Sequence, residues 1–342
     1  MSIQYFTEKV TNGEHLTREE MNNAATLIFD QIATPDEIKP FLIALHQKGE
    51  VVEEIVGLVD VVMKHKIPLQ PVPTNYFDNC GTGGDQLNTF NISTTTAFVL
   101  AGCGVPIAKH GNRKISSQSG SSDVLEALGI DIVQTPGEIA EQLATLQIAF
   151  LHAPNFHPKL GSLREIRSEI PHATIFNLIG PLCNPAPLHS QIVGINRADL
   201  LESYAQALHL LGRKRAIVIS GSDGLDEASL HGVTQYATVL DGEINIHSVS
   251  PEQLGFNRIS LNDIKGGTAQ QNANILIDVL SNKQSAYFDT VLLNAAFGLI
   301  AYGVTSNFEK AFQLARESIT TGKAISKLRA LQQFHMKEGI AK

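Results

Sequence analysis

Apolar positions recur every three to four residues through residues 1–70, and that spacing predicts an all-helical N-terminal region. Thr17-Arg-Glu-Glu20 reads as a capping box with Leu16 and Met21 in staple positions, and Ala24, Ala25, Ile28 and Ile32 follow at helical spacing. Thr34-Pro-Asp-Glu37 starts a second helix, with Pro35 at its first position. That helix carries Phe41, Leu42 and Leu45, should bend or tighten at Pro40, and closes at Gly49. Glu53 to His65 is a third helical pattern, ended by Pro68, and Pro68, Pro71 and Pro73 mark a stiff linker.

Beyond the linker the pattern changes to short apolar runs alternating with amphipathic stretches. Tyr76–Asp78, Val105–Ala108, Ile130–Val133, Ile148–Leu151, Ile192–Ile195 and Arg215–Ser220 read as strands. Between them, Ser93–Ala101, Asp123–Leu128, Pro136–Leu146 and Ala198–Leu211 read as helices. Such alternation predicts right-handed βαβ units and a largely parallel sheet. Residues 152–187 interrupt it. There a helix over Leu160–Ile170 and the apolar run Ile175–Leu182 are expected to leave the sheet and pack on the N-terminal helices, with Pro/Gly clusters as hinges. After residue 227 the alternation is less clear, but helices are expected from Gly266 to Leu280, over Asp289–Tyr302 and Phe308–Thr320, and at the C-terminus.

The fold class expected is α/β: a small all-helical domain plus a large domain with a mostly parallel central sheet flanked by helices. The division places residues 1–72 in the helical domain, joined by the inserted segment at about 158–186, and residues 73–157 and 187–342 in the α/β domain.

At 342 residues, 43% apolar and 18% charged, the composition is that of an ordinary soluble globular protein with a sizeable core. Lys+Arg total 26 against 34 Asp+Glu, a net charge of −8, which argues against a broad nucleic-acid-binding face. Cys80, Cys103 and Cys183 lack metal-type spacing and read as reduced thiols of a cytoplasmic protein. The charged N-terminus is not a signal peptide, and no run has the ~18 apolar residues of a membrane span.

Two small-residue loops follow apparent strands. The first is Gly81-Thr-Gly-Gly-Asp85 with Asn91-Ile-Ser-Thr94; the second is Lys109 to Ser122, KHGNRKISSQSGSS. Glycines let backbone N–H groups approach an oxyanion, helix N-termini favour negative charge, and Lys109 and Arg113 offset phosphate charge. Asp226 and Glu227 are adjacent carboxylates in a glycine-flanked loop, hard oxygens that suit Mg²⁺ shared with a phosphate ligand. A Walker A loop and a GxGxxG are both absent. His110 and His157 belong to no readable Ser-His-Asp or Cys-His set, so no acid or base is assigned.

GTGGD, N-x-S-T, KHGNR…SSQSGSSDVLEALG, FNLIGPLCNPA and DGLDE, in this order over nearly the whole chain, resemble the anthranilate phosphoribosyltransferase family of tryptophan biosynthesis. The resemblance implies that Gly81, Gly84, Asp85, Thr89, Asn91, Ile92, Ser93 and Thr94 bind phosphoribosyl pyrophosphate. It adds Lys109, His110, Gly111, Asn112, Arg113, Lys114, Ile115, Ser116, Ser117 and Ser121 to that site, with Lys109 and Arg113 stabilising charge in the transition state. It further implies Ser93, Asp226 and Glu227 as Mg²⁺ ligands, Gly81, Asn112 and Arg167 as anthranilate contacts, and a homodimer formed through the helical domain.

Two departures stand out. Where the family usually reads V-R-R-E-L-G-I-R-T-I-F-N, this chain has Glu165 to Asn177, with Ser168 in place of the second Arg; Arg164 is the alternative partner for an acceptor carboxylate. The usual H-P-A is His157-Pro-Lys159. Two other readings share the fold: a pyrimidine nucleoside phosphorylase, and a non-catalytic relative that binds nucleic acid, which the −8 charge and the intact Asp226-Glu227 pair oppose.

Overall fold

The computed structural model describes residues 1–69, 75–113 and 118–341; Pro71 and Pro73 of the expected linker lie outside the described residues. Helices α1 (Ile3–Thr11), α2 (Arg18–Phe29), α3 (Pro35–Lys48) and α4 (Val52–Lys64) form a small N-terminal domain. The Thr17 box closes both ways: Thr17 N–H donates to Glu20 Oε2 at 2.9 Å and Glu20 N–H to Thr17 Oγ1 at 3.2 Å. Thr34 N–H donates to Glu37 Oε2 at 2.8 Å, and α3 continues through Pro40.

The larger domain is built on one seven-stranded sheet. Its strands are β1 (Tyr76–Asp78), β2 (Ile107–Gly111), β3 (Ile148–His152), β4 (Leu188–Gly194), β5 (Arg215–Ser220), β6 (Thr234–Leu240) and β7 (Glu243–Val249), in the spatial order β3-β2-β1-β4-β5-β6-β7. β1 to β5 pair in parallel; β5–β6 and β6–β7 are antiparallel. The strand order turns around at β1 and β4. Connections leave in opposite directions there, which opens a crevice at the carboxyl ends of the strands.

Side chains of β5 alternate between two cores, as the two-residue period of a strand requires. Ala216 and Val218 pack with Tyr204 and the N-terminal helices, whereas Ile217 and Ile219 pack with Phe98 of α5 (Ile92–Gly102) and Phe297 of the helix Ala286–Tyr302. Leu163, Ile166, Ile175 and Phe176, from the segment after β3, share the core of the N-terminal helices.

Two expectations need correction, and one element went unread. Ile130 and Ile132 are buried while Asp131 and Val133 are exposed, but the segment is not a strand. β3 already occupies the sheet edge beside β2, and Asp131 Oδ1 takes the Val133 N–H at 2.8 Å, a local turn that competes with a ladder. The helix expected over Leu160–Ile170 is two short turns, Pro158–Gly161 and Arg164–Ser168. Ser162 Oγ bonds back to Lys159 O at 2.8 Å where the chain breaks. Finally, β6 and β7 form a hairpin around Asp241 and Gly242, both at positive φ (48° and 95°). Asp-Gly between alternating residues is a type I′ turn signal, so this hairpin was readable.

Candidate active site

The loop after β1 carries Gly81, Gly84, Asp85 and Thr89 to Asn91, where α5 begins with Ile92, Ser93 and Thr94. It is held against the end of β4 and the loop after β5 by main-chain donors. Thr82 N–H bonds Gly194 O at 2.9 Å, and Gly83 N–H bonds Asp226 Oδ2 at 2.7 Å. A Cβ on Gly81 would lie 2.5 Å from Asp226 Oδ2, and Gly83 and Gly84 take positive φ (69° and 84°), so three glycines let the loop close over that carboxylate. No side chain caps α5. Ile92 N–H turns back to Phe90 O at 2.7 Å, and the amides that follow it in the first turn face the helix's N-terminal end, where an anion is favoured.

Asp226 and Glu227 are brought to this crevice by the turn Ser222–Gly224 after β5. Burial, then the neighbouring Asp85 carboxylate, pushes Asp226 up to about 7. Burial and the Asp226 charge hold Glu227 well above the usual carboxylate range, while Lys109 and a hydrogen bond from Ser93 pull it down. Ser93, Asp226, Glu227 and Lys109 thus meet at one place. Among the described residues no group of three or more His, Cys, Asp and Glu side chains forms a metal cage. The donor set is instead two carboxylates and a hydroxyl, the kind of partial set that Mg²⁺ completes with waters.

Lys109 is 2% exposed on β2, and its Nζ donates to Asn79 O at 3.0 Å; Asn79 Nδ2 donates in turn to Ser93 O at 2.7 Å. The second loop leaves β2 at Gly111. Its Asn112 carbonyl accepts from Ser121 Oγ at 3.1 Å and Ser122 N at 3.3 Å, at the start of α6 (Ser121–Ala127). Lys114, Ile115, Ser116 and Ser117 lie outside the described residues. Arg113, expected to face the donor, is turned to α6 instead. It forks onto Glu126 at 2.6 and 2.7 Å and reaches Asp123 at 3.4 Å, because those acids sit one helical turn apart beside it.

On the other side, Arg167 lies over the Phe176 ring, 5.5 Å from its centroid, with its Nη2 3.5 Å from Asn177 Oδ1. Burial depresses its guanidinium below the usual range. One link from this segment to the donor loops is His110, whose Nδ1 donates to Gly180 O at 3.0 Å. His157 Nε2 donates to Cys183 O at 2.7 Å. Burial pushes His110 down to about 3 and lowers His157, so both rings are neutral. Their second nitrogens are buried and have no hydrogen-bond partner among the described residues.

Sequence reasoning missed Asp78, Asn184 and Gly194. A Cβ on Gly194 would lie 2.5 Å from the carbonyl carbon of Asp226 and nearer still to its oxygen, so this strand glycine makes room for the carboxylate loop. A lone glycine inside a strand pattern is a legible sign of such close approach. Asp78 and Asn184 carry no local signal.

Two family models match: the "Glycosyl transferase family, a/b domain" over residues 73–325 and the "Glycosyl transferase family, helical bundle domain" over residues 4–66. The chain is 49% identical over 326 residues to the anthranilate phosphoribosyltransferase of Bacillus cereus (strain G9842), covering 95% of this chain and 96% of that one. This chain belongs to the anthranilate phosphoribosyltransferase family. Solved members share its fold. The anthranilate phosphoribosyltransferase of Thermus thermophilus superposes with a TM-score of 0.90 at 34% identity over 96% of this chain and 98% of that one. The Saccharomyces cerevisiae family member, in complex with PRPP and Mg, gives 0.90 at 27% identity over 97% of each chain. The small helical domain and the larger α/β domain seen here are the architecture of the family.

Proposed function

We propose that this chain moves the 5-phosphoribosyl group of phosphoribosyl pyrophosphate to the amino nitrogen of anthranilate, releasing pyrophosphate, as a Mg²⁺-dependent phosphoribosyltransferase of tryptophan biosynthesis. The observation that carries this reading is the meeting of Lys109, the Ser93–Glu227 pair and the Asp226–Gly83 pair at the turn-around of the sheet, in a chain of this family.

In this reading the amides of the Gly81–Asp85 loop and the first turn of α5 take the donor's phosphates, and Lys109 offsets their charge. Thr89, Asn91, Asn112, Ser121 and the 113–117 stretch complete the donor contacts, with Arg113 exchanging Glu126 for phosphate. The bond from C1 to pyrophosphate breaks and its electron pair leaves on the pyrophosphate oxygen. The amine lone pair forms the new C1–N bond, and the nitrogen then gives up a proton, which leaves with the departing pyrophosphate. An aryl amine is a competent neutral nucleophile, so positioning suffices and no base is assigned.

Ser93, Asp226 and Glu227 are the residues that would hold Mg²⁺; their fit rests on two half-buried, mutually repelling carboxylates, whose cost a divalent cation offsets. When bound, the ion supplies positive charge to the pyrophosphate oxygens. Gly81, Asn112 and Arg167 take the acceptor, with Arg167 pairing its carboxylate. Residues 1–72 and the 158–186 insert move as one body against residues 73–157 and 187–342, closing the crevice and excluding water.

A homodimer through the helical domain is part of this reading; Tyr5 and Ile32, 46% and 65% exposed, are apolar side chains available on that domain. So is a cytoplasmic location, consistent with three free cysteines. The deciding experiment follows the loss of anthranilate fluorescence with phosphoribosyl pyrophosphate and Mg²⁺. Turnover that needs all three supports the reading. Phosphate-dependent cleavage of thymidine or uridine in its place would overturn it.

A further inference from the structure

The helix Ala269–Leu280 opens with a capping box between Thr268 and Gln271, but the next residue, Asn272, bonds outside that box. Asn272 is 2% exposed. Its Oδ1 accepts from Gly267 N–H at 2.8 Å, and its Nδ2 donates to Asn91 Oδ1 at 2.8 Å. Asn91 Nδ2 donates in turn to Ser119 O at 3.3 Å. The direction of this relay is forced. Side-chain amides can be turned either way, but a main-chain N–H can only donate and a main-chain carbonyl can only accept. Gly267 N–H at one end and Ser119 C=O at the other therefore set both amides.

The same segment clasps the first loop through its backbone. Gly266 N–H donates to Asn88 O at 2.9 Å, and Phe90 N–H to Ile264 O at 3.1 Å. A Cβ on Gly266 would lie 2.6 Å from Thr89 O, so this approach needs glycine. Residues about 180 positions downstream in the chain thus fix the geometry of the donor loops.

We propose that Asn272 is a positioning residue for the donor site. It sets the orientation of the Asn91 amide and so ties the glycine loop after β1 to the serine loop after β2, presenting their phosphate-binding groups as one unit. The inference rests on the reading of those two loops as the phosphoribosyl pyrophosphate site.

Asn272→Asp tests it at constant volume. One carboxylate oxygen still accepts from Gly267, but the other faces Asn91 Oδ1. The Asn91 amide then turns and opposes its oxygen to Ser119 O. The KM for phosphoribosyl pyrophosphate should rise about tenfold, the order expected for one mismatched buried hydrogen bond, while the KM for anthranilate changes little. In an Asn91→Ala background the same substitution should have almost no further effect. Asn272→Ser, which shortens the side chain without adding charge, should raise the donor KM severalfold and serves if the Asp variant does not fold. Normal transfer with an unchanged donor KM in the Ser variant, or effects of Asn91 and Asn272 that simply add, would overturn the inference alone. Absence of transfer by the unmodified protein would overturn the site reading and this inference together.

Discussion

Asp78 Oδ2 accepts a hydrogen bond from Asn184 Nδ2 at 2.9 Å, joining the central strand to the Pro-rich end of the inserted segment. The same Asn184 amide reaches Ala108 O at 2.8 Å, and Asp78 Oδ1 accepts from His110 N–H at 3.2 Å. A fully buried carboxylate therefore holds three pieces: β1, the residue that follows Lys109, and the segment that leads back from the helical domain.

Removing that carboxylate leaves buried donors without an acceptor. Asp78→Ala should lower stability by roughly 2–4 kcal/mol, since each unsatisfied buried group costs about 1–3 kcal/mol. Urea denaturation of Asp78→Ala, Asn184→Ala and the double variant should give a coupling of at least about 1 kcal/mol. Strictly additive losses would show that the two residues act separately.

Asp226→Asn with Glu227→Gln should abolish Mg²⁺-dependent turnover while the fold remains at least as stable as wild type. Burial works against both ionised groups, so neutral isosteres relieve a cost as they remove the cation site. Unchanged rates across a Mg²⁺ titration would remove the metal assignment.

Gly194→Ala places a methyl group against the backbone of Asp226, which cannot move aside as a side chain tip can. A carboxylate loop displaced by about 1 Å should cost on the order of a hundredfold in kcat/KM. Retention of wild-type kinetics would mean that the loop position does not matter to the chemistry.

Stability should also depend on pH through the buried histidines. Burial takes His110 from its ordinary value of 6.5 to about 3, so the unfolded chain binds a proton that the folded chain does not. The stabilisation is complete above pH 6.5 and is lost as pH falls toward 3, at about 1.4 kcal/mol per pH unit for a full proton. His152 and His157, also lowered by burial, act in the same direction. Asp78, raised by burial from 3.8 to about 6, opposes them over that interval because its folded form retains a proton. His110→Asn should flatten the fall in urea stability between pH 6.5 and 5; an identical slope would contradict the neutral buried ring.

Much of this protein was legible as local pattern. Helical spacing, the Thr17 capping box, the alternation of β1 to β5 with helices, and the two glycine loops each depend on residues a few positions apart, and short-range geometry determines them. The Ile130–Val133 segment had the right alternation too, but a strand exists only if a neighbour offers its backbone, and the edge beside β2 was taken by β3. The tertiary structure alone decided that Gly194 clears Asp226, that Asp78 meets Asn184, that Arg113 turns to Glu126, and that Asn272 orients Asn91. The long-range contacts among these are set by which surfaces the packed sheet brings together, and no local preference of the chain encodes that meeting.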